Sequence, residues 1–114
     1  MNDGKLIMAE TAARVRALVG FDPRITEKFM FGGQTFLLNG HILASCKPDG
    51  RILLGLGPEA TGAALMRSGT APMTMNGRRA KGFVWVDADA IEDDGDLRDW
   101  IELAERHVAA LPPK

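Results

Sequence analysis

The chain has 114 residues, enough for one domain, with 46% apolar and 25% charged residues, a balance that excludes a disordered tail, a collagen-like fibre and a coiled-coil rod. The net charge of −1 conceals an asymmetry: residues 1 to 86 carry eleven Lys or Arg against six Asp or Glu, whereas residues 87 to 105 carry nine acids and one Arg. A mildly basic body with an acidic C-terminal element and a pI near 6.1 falls short of the basic footprint of a dedicated nucleic-acid binder.

From Leu6 to Val19 apolar residues recur at Met8, Ala12, Val15, Leu18 and Val19, the spacing of an amphipathic helix. Gly20 supplies its C-cap, and Asp22-Pro23 disfavours continuation because the residue before proline avoids helical geometry. Short apolar runs then alternate with turn pairs. Residues 27 to 38 form the first run, interrupted at Gly32-Gly33, and Asn39-Gly40 separates it from residues 41 to 46. An Asn-Gly pair between such runs marks a type I′ hairpin, which needs positive φ at both central residues. Pro48-Asp49-Gly50 turns the chain again into residues 51 to 56. The reading is a three-stranded meander.

Pro58 and Glu59 suit the first turn of a second helix, which stops near Ser68-Gly69. Two strands follow, around residues 72 to 75 and 82 to 86, joined through Asn76-Gly77 and the basic Arg78, Arg79 and Lys81. Phe83, Val84, Trp85 and Val86 lack polar alternation, so this strand is expected to be covered on both faces. Leu97, Trp100, Ile101, Ala104, His107, Val108 and Leu111 follow a 3.6-residue period, with acids at the helix start and Pro112-Pro113 at its end. The predicted fold is α+β in two layers, α-βββ-α-ββ-α, with helices packed on one mainly antiparallel sheet.

That order, with the string Met30-Phe31-Gly32-Gly33, resembles the N-terminal domain of the TfoX/Sxy competence regulators. The similarity continues through Leu38-Asn39-Gly40-His41, the run from Leu53 to Glu59, the Asn76-Gly77 turn, the Lys81 to Val86 strand and the Leu97 to Ile101 helix start. It covers the chain from about residue 9 to residue 113. The resemblance implies a secretion-chaperone-like fold, bacterial origin and a role like that of the competence members, which act as transcriptional co-activators beside the catabolite activator protein. Those regulators carry a second, helical C-terminal domain, so residues 1 to 114 are expected to form one N-terminal-like domain without it.

Several positions invite a chemical reading. The stretch from Gly55 to Ala60 fits G-x-G-x-x-G/A between a strand and a helix, but Pro58 removes a donor and Glu59 adds negative charge where a pyrophosphate wants the opposite. No acid about twenty residues on awaits a ribose. Cys46, His41 and His107 are the soft ligands and nucleophile-base candidates, too few to argue convergence. Cys46 shares strand parity with Ile42 and Ala44 and is expected in the core. The acids between Asp87 and Asp99 suit helix capping rather than acid-base catalysis. No catalytic residue, metal or cofactor is expected.

Two surfaces remain. Arg78, Arg79 and Lys81 could contact phosphates or form a solvated hairpin, and no aromatic interleaves to stack bases. Met30, Phe31, Met73 and Met75 lie on strands expected near the sheet edge, where adaptable apolar side chains suit a partner. The expected function is non-enzymatic regulation through a protein partner, such as an activator or the transcription machinery, with DNA contact weak or indirect. A direct nucleic-acid-binding module is the alternative, a small enzyme the remote one, and a homodimer stays open. Cys46 can make no internal disulfide, Asp3 and Glu10 break any leader-like apolar start, and no apolar run is long enough to span a membrane, so a cytoplasmic setting is expected.

Overall fold

The computed structural model describes residues 3–114. The elements run α1 (Asp3–Val19), β1 (Ile25–Met30), β2 (Gly33–Leu38), β3 (His41–Cys46), β4 (Ile52–Gly55), α2 (Gly57–Leu65), β5 (Thr70–Met75), β6 (Arg78–Val86), a short 3₁₀ turn (Ala88–Ile91) and α3 (Asp94–Val108). All six strands form one antiparallel sheet in the order β1-β2-β3-β4-β6-β5. The α+β class and the helix positions are as expected from sequence. The meander before α2, however, has four strands rather than three. Residues 27 to 38 split because Phe31 and Gly32 both adopt positive φ, 52° and 74°, a pairing that matches a type I′ hairpin.

Asn39-Gly40 and Asn76-Gly77 also have positive φ at both positions, as predicted. Gly20 caps α1 with φ 63°, its N–H bonding the Arg16 carbonyl at 3.1 Å. Asp93 caps α3, accepting from the Gly95 N–H at 2.6 Å. Lys114 N–H bonds the Asn39 carbonyl at 2.9 Å, and a His41 ring nitrogen lies 2.7 Å from the Pro112 carbonyl oxygen, so the chain end is tied to the β2–β3 turn.

The three helices pack on one face of the sheet. Phe36, Leu38, Ala44, Cys46, Ile52, Leu54, Val84 and Val86 meet Ala12 and Val15 of α1, Ala64 of α2 and Leu97, Trp100, Ile101, Ala104 and Val108 of α3. These apolar side chains leave water together, which is the main favourable term holding the layers. Cys46 is fully buried in this core, and burial pushes its thiol up to about 12. A register shift between Phe36 and Leu37 bulges β3. Leu43 becomes an extra core residue, and Ile42 passes to the other face. Cys46 and Ile42 therefore do not share a face as strict alternation predicts.

Arg16 and Arg14 fasten α1 to its neighbours. Arg16 grips Glu27 of edge strand β1 with two bonds of 2.6 Å, which holds the Glu27 carboxyl below its ordinary range. Arg14 reaches Asp94 of α3 and the carbonyls of Ile91 and Glu92.

Candidate binding site: the bare face of the sheet

Among the described residues, no helix covers the opposite face of the sheet. Across the strands, Lys28, Thr35, Ser45, Leu53, Trp85 and Ala71 stand in register. Leu53, Phe83, Trp85, Ile42, Met73 and Met75 line a hollow of about 610 Å³ whose walls come from strands and turns alone. Phe83 and Trp85 are half-buried there, so the described residues do not cover β6 on both faces. The unbroken apolar run arises because one side of the strand meets helices and the other side lines the hollow.

Phe31, at the β1–β2 turn, and Met73 and Met75, on edge strand β5, border this hollow. Phe31 is 76% exposed and Met75 55%. Met30 ends β1 half-buried and does not line the hollow. Phe31 holds its positive φ without the small or amide side chain such a conformation favours. Strained positions of this kind cluster at binding sites.

At the floor, Thr35 and Ser45 are buried and their hydroxyls stand 2.8 Å apart. Thr35 donates to the Gly33 carbonyl at 3.2 Å, leaving Ser45 to donate to Thr35. At the rim, the Arg51 guanidinium lies 4.2 Å from the centroid of the Trp85 ring and the Lys47 ammonium 5.9 Å from it. Such stacking of cations on an indole is attractive. Arg51 also binds Asp49 at 2.7 Å, while Lys47 donates to the Phe31 carbonyl at 2.8 Å. Burial holds the Lys47 amine below the usual lysine range, and the nearby Arg51 charge adds to that shift.

The other sequence candidates lie outside this hollow. Arg78, Arg79 and Lys81 are exposed, the first two beside the β5–β6 turn. Lys81 lines a separate notch of about 270 Å³ with His41, His107 and Lys114. In the Gly55–Ala60 stretch, Leu56 N–H is spent on the Gly82 carbonyl at 2.8 Å, and a Cβ built on Gly57 would stand 2.5 Å from the His107 ring. The backbone is thus occupied where a pyrophosphate would have to approach, which supports a tight strand-to-helix turn. Among the described residues, no three His, Cys, Asp or Glu side chains gather as a metal site, and no helix is long and apolar enough to cross a membrane.

The helices on one face and the bare face opposite define a two-layer α+β domain. The family model for the TfoX N-terminal domain matches residues 17–108, and the chain belongs to that family. Comparison with curated proteins and with solved structures found no match. Sequence reasoning named Phe31, Met73 and Met75 but missed Leu53, Phe83, Trp85, Lys47 and Arg51. The signal was present in the apolar run from Phe83 to Val86, which exceeds what one helical layer can cover.

Proposed function

We propose that this chain is a non-enzymatic regulatory domain that acts in transcription control, of the competence type, by docking a protein partner on the bare face of its sheet. The observation that carries the reading is that face: a contiguous apolar surface bordered by flexible methionines, of the kind that marks an interaction site. Membership of a regulator family supports the same direction. The test is affinity capture from the native cell with the wild-type chain and a Met73→Glu/Met75→Glu variant, identifying proteins and nucleic acids separately and measuring transcripts. Proteins held by the wild type and lost from the folded variant, with altered transcripts, are expected. Equal capture by both would overturn the reading.

A second reading, direct contact with nucleic acid, is favoured by the exposure of Arg78 and Arg79 beside one turn. The acidic start of α3 and the low pI weigh against it.

A further inference from the structure

We propose that the hollow in the bare sheet face is a small-molecule site for an amphiphilic carboxylate, its hydrocarbon tail lying over Leu53 and Phe83 and its head paired with Lys47, which would make this domain responsive to a ligand. The volume of about 610 Å³ falls within the range of small-molecule sites, which are concave, mostly apolar and equipped with a few polar groups. The tail follows from the lining, where Leu53, Phe83, Ile42 and Met73 offer apolar surface. The floor asks for no polar partner, since the Thr35 and Ser45 hydroxyl protons are already committed.

The head follows from charge. Three charged residues line the hollow: Lys47, Arg51 and Asp49. Asp49 is bound to Arg51, so the net charge of one positive unit rests on Lys47, whose ammonium has a neutral carbonyl, that of Phe31, as its acceptor. A half-buried ammonium against an apolar wall is matched by a single negative charge with an apolar tail. A neutral amphiphile leaves that charge unpaired and a cationic one repels it.

This goes beyond the partner reading, because it needs only the purified chain; the two proposals fail separately. The probes are hexanoate, octanoate and decanoate, followed by amide shifts in an isotope-labelled chain, with decylamine and decanol as controls. Shifts should centre on Leu53, Phe83, Trp85 and Lys47, and each added methylene should tighten binding up to about fourfold, the factor its burial supplies. Decylamine should bind at least about tenfold more weakly than decanoate. Lys47→Gln should weaken decanoate about tenfold, as loss of a charge-assisted hydrogen bond does, and leave decanol unchanged. The decanol result also verifies that the variant keeps a folded pocket. Absence of shifts with decanoate, equal binding of decylamine, or indifference to Lys47→Gln would each overturn the proposal. So would pocket shifts that follow protein concentration instead of ligand, which would mean that a second copy covers the face.

Discussion

The carbonyl of Phe31 accepts the Lys47 ammonium at 2.8 Å, tying a turn residue with φ of 52° to the rim of the hollow. The left-handed conformation disfavours a bulky side chain, and the Phe31 ring recovers little by packing because it is 76% exposed. Phe31→Asn should therefore stabilise the domain by about 0.5–1 kcal/mol in urea unfolding, since Asn tolerates this conformation. The same change should weaken whatever binds the bare face. Destabilisation would mean that Phe31 packs as part of the core.

A second relationship ties the turn after α2 to α3: the Arg67 guanidinium lies 3.9 Å from the centroid of the Trp100 ring. Trp100 is buried at the centre of α3, so Trp100→Ala should cost about 3–5 kcal/mol in chemical denaturation. Arg67→Ala, at an exposed position, should cost no more than about 1 kcal/mol.

The buried Cys46 thiol makes a prediction for alkaline pH. Its proton is held more tightly in the folded chain, up to about 12, than at the ordinary value of 9.0. A raised folded-state value means the stabilisation is intact below the unfolded value and is lost as pH rises above it. Relative to Cys46→Ala, the wild-type unfolding free energy should fall by about 2 kcal/mol on going to about pH 10.5. Parallel pH curves for the two proteins would contradict this.

Direct DNA contact through Arg78, Arg79 and Lys81 is tested by anisotropy on duplex DNA at several salt concentrations. Each neutralised phosphate contributes a slope of roughly 0.9. Weak binding or none is the expected result. Tight binding whose slope drops by about two or three units in the triple alanine variant would favour the nucleic-acid reading over the partner reading.

The fold was largely legible because its signals are local. Asn39-Gly40 and Asn76-Gly77 announce their turns by chemistry, and α3 announces its buried face by period. The Phe31-Gly32 turn was hidden because phenylalanine is not a turn former, so one strand went uncounted. The β3 bulge was equally silent, and it alone moves Ile42 to the far face. The hollow could not be read from alternation: Trp85 and Val86 are both apolar, and which of them meets a helix depends on how many helices the sheet receives and on which side.

The pairing pattern bears on how the chain is made. Hairpins closing at Met30↔Gly33, Leu38↔His41 and Cys46↔Ile52 span few residues, so their loop-closure cost is small. Ile52 meets Val86 only after α2 and β5 have emerged, and α3 comes last. During synthesis the first four strands thus have α1 as their only helical cover, and the period of greatest aggregation risk runs from Gly55 to the arrival of Trp100.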